Sequence, residues 1–253
     1  MDIPILMAKD VPYVTTEQMI EVDRAMMEDY KIELIQMMEN ARHNLAHLAR
    51  MRFLGGHPGG KLIAVLAGTG GNGGGALVCA RRLTNWGAHV RVYTTKPDDA
   101  VTPIPAHQLD ILHRMKVPVA GADAVSQLNA PDLIIDGIIG YSLSGAPYGA
   151  AADLIRWAND QTVPVLSLDA PSGVDATSGT VFDPAIRATA TMTLALPKEG
   201  LRTSGVAANV GELYLADISV PPALYEAPAL RLKVGAIFAQ SDILRLSDKE
   251  ENP

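Results

Sequence analysis

What most constrains this chain is a rhythm that begins at Lys61. Short, unbroken apolar runs rich in β-branched residues alternate with stretches long enough for a helix. The runs are Leu62–Ala67, Val90–Tyr93, Leu133–Ile135, Val163–Leu168, Thr191–Leu196 and Leu213–Ile218. A strand with one face in water alternates polar and apolar residues; these do not, so both faces must be covered. Intervening segments such as Ala76–Trp86, closed by Gly87, and Ala150–Asn159 supply the covering helices. Such alternation predicts an α/β protein with a mostly parallel sheet. Right-handed crossovers make it a three-layer αβα, Rossmann-like doubly wound fold. An N-terminal helical pair precedes it. Thr15 and Gln18 have capping-box spacing before Met19, Val22 and Met26, and Leu34, Met38, Ala41, Leu45 and Leu48 recur at steps of four and three. Gly55 and Gly56 stop the second helix. No repeat or linker follows, so residues 1–253 read as one domain, with a last helix over Val234–Leu246 and a frayed tail over 247–253.

Composition removes several function classes. Hydrophobic residues make up 48% and charged residues 19%, which argues against disorder. A net charge of −7 gives no electrostatic footprint for nucleic acid or anionic lipid, although backbone amides still bind phosphate without lysine. No run approaches the ~20 apolar residues of a membrane span, and the opening MDIPILMAKD lacks a secretory core. The single Cys79 falls in a predicted helix as a small buried apolar residue and suits a reducing cytoplasm. His43 and His47 are four apart, but Asn44 between them rules out the zinc-protease motif. Met19, Met26 and Met38 read as core or as a subunit contact.

In such a sheet ligands bind beyond the carboxyl ends of the strands. After the first run comes Gly68-Thr69-Gly70-Gly71-Asn72-Gly73-Gly74-Gly75, with six glycines in eight residues, and then a helix. That composition lets backbone approach a ligand and aims amides at an anion. Gly68, Gly70 and Gly73 satisfy G-x-G-x-x-G in strand-loop-helix context. The acid expected about 20 residues on is absent, since that stretch reads Tyr93-Thr94-Thr95-Lys96. A tight turn is the alternative; phosphate or dinucleotide contact is favoured. No G-K-[ST] is present, which excludes a nucleotide-hydrolysing P-loop.

The next edge loops carry oxygen donors. Leu133–Ile135 delivers Asp136, followed by Gly137-Ile138-Ile139-Gly140 and Tyr141-Ser142-Leu143-Ser144-Gly145. Asp136 can hold a cation or accept from a ribose hydroxyl, with a capping aspartate as the open alternative. The serines make no nucleophile elbow. Val163–Leu168 ends in Asp169-Ala170-Pro171-Ser172-Gly173. Asp136 and Asp169 come from strand ends expected to be neighbours, with Asn72 close by. Hard oxygens arranged this way suit an alkali or alkaline-earth cation, or Asp169 serves as a general acid/base. Lys198, after Leu196-Pro197, offers a phosphate or acid/base partner, with a solvated surface lysine as the stronger reading from position alone.

Together these segments resemble the NAD(P)H-hydrate epimerase family, the YjeF amino-terminal domain, from about Val14 to Ile218. The carriers are Leu34-Ile-Gln-Met-Met-Glu-Asn-Ala41, the glycine segment, Asp136-Gly-Ile-Ile-Gly140, Asp169-Ala-Pro-Ser-Gly173, Leu196-Pro-Lys198 and Gly211-Glu-Leu-Tyr214. The resemblance implies interconversion of the R and S epimers at C6 of hydrated NADH or NADPH (NADHX and NADPHX). A separate ADP- or ATP-dependent dehydratase would act on the S form. It implies a potassium ion on Asn72, Asp136 and Ser172. Substrate would contact Gly71, Asn72, Gly73, Gly74, Gly75, Gly140, Tyr141, Ser142, Leu143, Ser144, Gly145, Ala146 and Asp169, with Asp169 catalytic and Lys198 assisting. A homodimer is also implied. The chain departs from the family loop G-x-G-N-N-G-G-D-G: Gly71 replaces the first Asn, Gly75 the Asp and Ala76 the last Gly. Arg42 stands where Met-Glu-Asn-Ala usually continues with glycine. A missing carboxylate at position 75 is expected to weaken substrate contact by ~1–3 kcal/mol, and Gly75→Asp to report which lost contact matters. Two alternatives stand beside the epimerase: a catalytically weakened or inactive nucleotide-binding scaffold of the same fold, and an NAD-dependent oxidoreductase. The missing acid after the second strand disfavours the latter.

Overall fold

The computed structural model describes residues 3–249. Its strands are β1 (Ile5–Met7), β2 (Leu62–Ala67), β3 (His89–Thr94), β4 (Val119–Gly121), β5 (Leu133–Gly137), β6 (Val165–Leu168), β7 (Ala190–Leu194), β8 (Glu212–Ala216) and β9 (Ile243–Ser247). The longer helices are α1 (Thr16–Glu28), α2 (Leu34–Leu48), α3 (Gly71–Asn85), α4 (Pro103–Arg114) and α5 (Gly149–Asp160). The strands form one sheet in the order β1-β9-β8-β7-β6-β5-β2-β3-β4. From β8 to β4 every pairing is parallel; β9 runs antiparallel to β8, and β1 pairs parallel with β9.

The period of two in the buried strands divides the core. Ile63, Val65 and Ala67 pack with α1–α4 on one face, whereas Ala64 and Leu66 join Leu154, Ile155 and Ala158 of α5 on the other. This is the expected αβα sandwich. Thr15 caps α1 as predicted, its hydroxyl accepting from Gln18 N while Gln18 Oε1 accepts from Thr15 N. Gly55 and Gly56, both at positive φ, follow the short π-helical turn that extends α2.

Two expectations are corrected. The stretch 234–246 is not a helix: Gly235 is left-handed, the chain runs irregularly to Asp242, and β9 then closes the exposed edge of β8. Edge pairing satisfies a row of backbone groups that a helix over these residues would leave open. Residues 250–253 of the expected tail lie outside the described residues. The second correction concerns the glycine segment, read as a loop up to Gly75. The helix instead starts at Gly71. Glycine disfavours helix interiors by ~1 kcal/mol each, but close packing overrides this here. A Cβ on Gly73 would lie 1.9 Å from the Gly68 carbonyl oxygen, and one on Gly68 would lie 2.0 Å from the Ile138 carbonyl oxygen.

That packing marks the switch point of the sheet. The chain leaves β2 outward to β3 and β4, then returns to β5 on the other side of β2. The segments after β2 and β5 therefore diverge and leave a crevice at their carboxyl ends. Gly68→Ala is expected to cost ~3 kcal/mol by overpacking, read as a lower urea midpoint. An unchanged midpoint would contradict this backbone contact.

Candidate active site

The crevice begins with a buried carboxylate. Asp136 is fully buried at the end of β5 and accepts four hydrogen bonds: from Ile138 N at 3.2 Å, Ser167 Oγ at 2.8 Å, Ser172 N at 2.9 Å and Ser172 Oγ at 2.6 Å. Burial pushes its carboxyl up, and the donors from Ser172, Ser167 and Ile138 pull it back. These bonds join β5 to β6 and to the turn after β6. Ser172 Oγ also accepts from Ile139 N at 2.9 Å, so the loop after β5 hangs from the same hydroxyl. Asn72, in the first turn of α3, donates from Nδ2 to Leu168 O at 3.0 Å, and its Oδ1 end sits against Gly140.

That turn presents Asp169. Its φ of +66° is unusual for a residue with a Cβ, and such strain, about 1–3 kcal/mol, is found where surrounding bonds over-determine the backbone. Here Asp169 N donates to Met192 O at 2.8 Å and Oδ1 accepts from Leu194 N at 3.2 Å. Lys198 donates to the same Oδ1, to Thr193 Oγ1 at 3.2 Å and to Leu194 O at 2.9 Å. Lys198 is 0% exposed and Asp169 3%. The surface-lysine reading of Lys198 is therefore overturned: the chain after β7 turns back under the sheet edge and carries the ammonium inward. The strand segment at Val14 holds it there, with Val14 N donating to Pro197 O and Glu199 N to Val14 O, each at 2.9 Å.

Asp169 and Lys198 open onto a cavity of about 490 Å³ lined also by Asp23, Arg42, Gly71, Asn72, Gly140, Tyr141 and Ser142. Asp136 and Ser172 lie beneath it, fully buried. Gly73, Gly74 and Gly75 are buried within α3, and their place in the structure is packing. Ser144, Gly145 and Ala146 are exposed farther along the loop toward α5, with Leu143 partly buried. A larger groove of about 720 Å³ includes His89, Arg91 and Lys116, and no carboxylate lines it among the described residues. The acid–base groups converge on the smaller cavity.

Asp23 was not anticipated. It sits on α1 four residues after Met19 and three before Met26, inside the apolar stripe, and an acid in that stripe was the available signal. Tyr141 Oη donates to its Oδ2 at 2.5 Å. Burial holds the Asp23 carboxyl above its ordinary range, with the Tyr141 hydrogen bond opposing, and burial raises Tyr141 as well.

Arg42 and Gly75 form one exchange. A Cβ at Gly75 would lie 2.2 Å from Arg42 Nε and 2.7 Å from Leu168 Cδ2, so the guanidinium occupies the volume that a side chain at 75 needs. Arg42 Nη2 donates to Gly71 O at 3.2 Å and Nη1 to Met37 O at 3.5 Å, while Nε is buried without a partner among the described residues. Burial brings the Arg42 pKa down to about 10 against the pull of Asp169, Asp23 and Glu39. The expectation that Gly75→Asp alone would restore a contact is corrected, because Arg42 already fills the space.

With this geometry in hand, the known relatives can be placed. Residues 34–200 match the family described as YjeF-related protein N-terminus. An NAD(P)H-hydrate epimerase of Dehalogenimonas lykanthroporepellens is 40% identical over 242 residues, 94% of each chain. A bifunctional NAD(P)H-hydrate repair enzyme Nnr of Moorella thermoacetica is 34% identical over 218 residues, which are 83% of this chain and 41% of that one. The crystal structure of the yeast protein ynu0 covers 93% of this chain with a TM-score of 0.78 at 26% identity. This chain belongs to the family of YjeF-related N-terminal domains.

Two stability tests follow. Lys198→Met removes the counter-charge of a buried carboxylate and is expected to cost ~3–5 kcal/mol in urea unfolding. Gly75→Asp is expected to cost ~1–3 kcal/mol in the native background and much less with Arg42→Gly, giving a coupling of ~0.5–3 kcal/mol across the four proteins. Additive losses would separate the two positions.

Proposed function

We propose that the chain is an NAD(P)H-hydrate epimerase, an isomerase that interconverts the R and S epimers of NADHX or NADPHX at C6. The observation that carries this reading is the Asp169–Lys198 pair, buried and facing a cavity whose rim includes the amino end of α3. The first amides of α3 suit an anionic dinucleotide, and the loop at Gly140, Tyr141 and Ser142 would hold its other side. Asp169, with Lys198 hydrogen-bonded to it, would protonate the C6 hydroxyl as it leaves and take the proton back as water returns. Family relatives named for the same activity support the reading.

Asn72 Oδ1, Asp136 and Ser172 Oγ form a set of hard oxygen donors with one carboxylate. Among the described residues no three acids, histidines or cysteines cluster as a closed divalent or transition-metal site would require. This donor chemistry fits a monovalent cation, and potassium is the ion we infer. Its charge would steady the developing charge on the leaving oxygen. Exposed Ile20, Met27, Tyr30 and Ile35 on α1, α2 and their connection support a homodimer. No helix among the described residues is long and apolar enough to cross a membrane. The buried free thiol of Cys79 suits the reducing cytoplasm. The S epimer produced would pass to an ADP- or ATP-dependent dehydratase.

The test is incubation of one purified epimer near neutral pH, with and without potassium, followed by chromatography against the uncatalysed rate. Acceleration is expected, together with a loss of ~10²–10⁴-fold in Asp169→Asn. Retained nucleotide binding with no acceleration would favour the scaffold reading.

A further inference from the structure

We propose that Asp23, clamped by Tyr141, is a second acid–base group of this cavity, serving the face of the substrate ring opposite the one served by Asp169 and Lys198. The proposal rests on the epimerase reading and deepens it. Inversion at C6 needs a hydroxyl to leave from one face and a water to arrive on the other. A group able to hold a proton is therefore needed on each side.

The cavity has two such groups on separate pieces of the fold. Asp169 and Lys198 come from the ends of β6 and β7, whereas Asp23 rises from α1 and meets Tyr141 of the loop after β5. Tyr141 fixes only Oδ2 of Asp23, and no hydrogen bond among the described residues reaches Oδ1. An acid in the apolar stripe of a helix costs desolvation, and no salt bridge in the described residues repays it. Of the charged or titratable groups within electrostatic reach of Asp23, Tyr141, Lys198, Asp169 and Arg42 line the same cavity, and the buried Tyr225 lies outside it. The position is therefore better explained by chemistry in the cavity than by packing of α1.

The step balances without any oxidant or reductant. A proton moves from the Asp169–Lys198 pair to the C6 hydroxyl, and the C6–O bond breaks with its electron pair leaving on water. The lone pair of the ring nitrogen forms the C=N⁺ bond. Water on the other face donates an electron pair to C6, the π pair returns to nitrogen, and the released proton goes to Asp23 Oδ1. Exchange with solvent water returns the proton from Asp23 to the Asp169–Lys198 pair and resets the site, and the reverse reaction exchanges the two roles.

Oxygen exchange separates this role from a structural one. One purified epimer at a time is incubated in H₂¹⁸O with potassium, at a pH where the uncatalysed reaction is slow, and both epimers are followed by chromatography and mass spectrometry. The wild-type protein is expected to place ¹⁸O in both epimers. In Asp23→Asn inversion should fall ~10²-fold or more, while the epimer whose hydroxyl faces Asp169 still exchanges its oxygen at close to the wild-type rate. Asp169→Asn should show the mirror pattern, with exchange surviving in the other epimer. Tyr141→Phe, which keeps the carboxyl but frees it, should lose inversion by ~10-fold with the same exchange retained. Thermal midpoints of the variants show that each is folded, and Tyr141→Phe carries the test if Asp23→Asn is not. Exchange and inversion falling together in both variants would assign Asp23 to positioning alone and overturn the proposal. So would unchanged inversion in Asp23→Asn, or wild-type inversion without ¹⁸O uptake. A wild-type protein that does not interconvert the epimers at all would instead sink the epimerase reading itself.

Discussion

The site depends on one carboxylate that never meets solvent. Asp136 accepts four hydrogen bonds, from the segment just after β5, from β6 and from the turn beyond β6. Hydrogen bonds to a charged group contribute roughly 1.5–3 kcal/mol each, but removing a carboxylate from water costs several kcal/mol in return. Net stability is therefore a poor account of this arrangement. Its effect is positional: with both carboxylate oxygens tied to β6 and to the segments after β5 and β6, the loop after β5 and the turn after β6 have one relative placement. That placement puts Asp169 at a left-handed φ facing Lys198.

The cavity above it is electrically closed. Two acids, Asp23 and Asp169, face two bases, Arg42 and Lys198, and each acid has its own hydrogen-bond partner. A low-dielectric pocket with balanced charge can bind a dinucleotide at its phosphate end without a lysine-rich rim, since the amino end of α3 supplies donors. Arg42 contributes to that balance from a position that a shorter side chain on α2 would leave empty.

Much of this was legible in the residues. The unbroken apolar runs located β2, β3, β5, β6, β7 and β8, and strand ends in a parallel sheet placed Asp136 and Asp169 side by side. Burial of Lys198 was hidden because it depends on a backbone reversal held by residue 14, far away in sequence. Asp23 was hidden because a lone acid on an amphipathic helix looks solvated until the loop that covers it is known. Gly71 to Gly75 looked like a loop because local propensity argues against helix, while contact with Gly68 and the β5 loop argues for it more strongly. The strand at Ile243–Ser247 was obscured by its partners, which are the last element of the parallel sheet and the first residues of the chain.

The pairing of Val14 with the segment around Lys198 has a further consequence. Val14 leads directly into α1, so one short bridge couples the wall bearing Asp23 to the base bearing Asp169. The two amides that form it belong to Val14 and Glu199, which are not among the residues lining the cavity. Their hydrogen-exchange rates therefore act as a remote gauge of whether the two walls are joined.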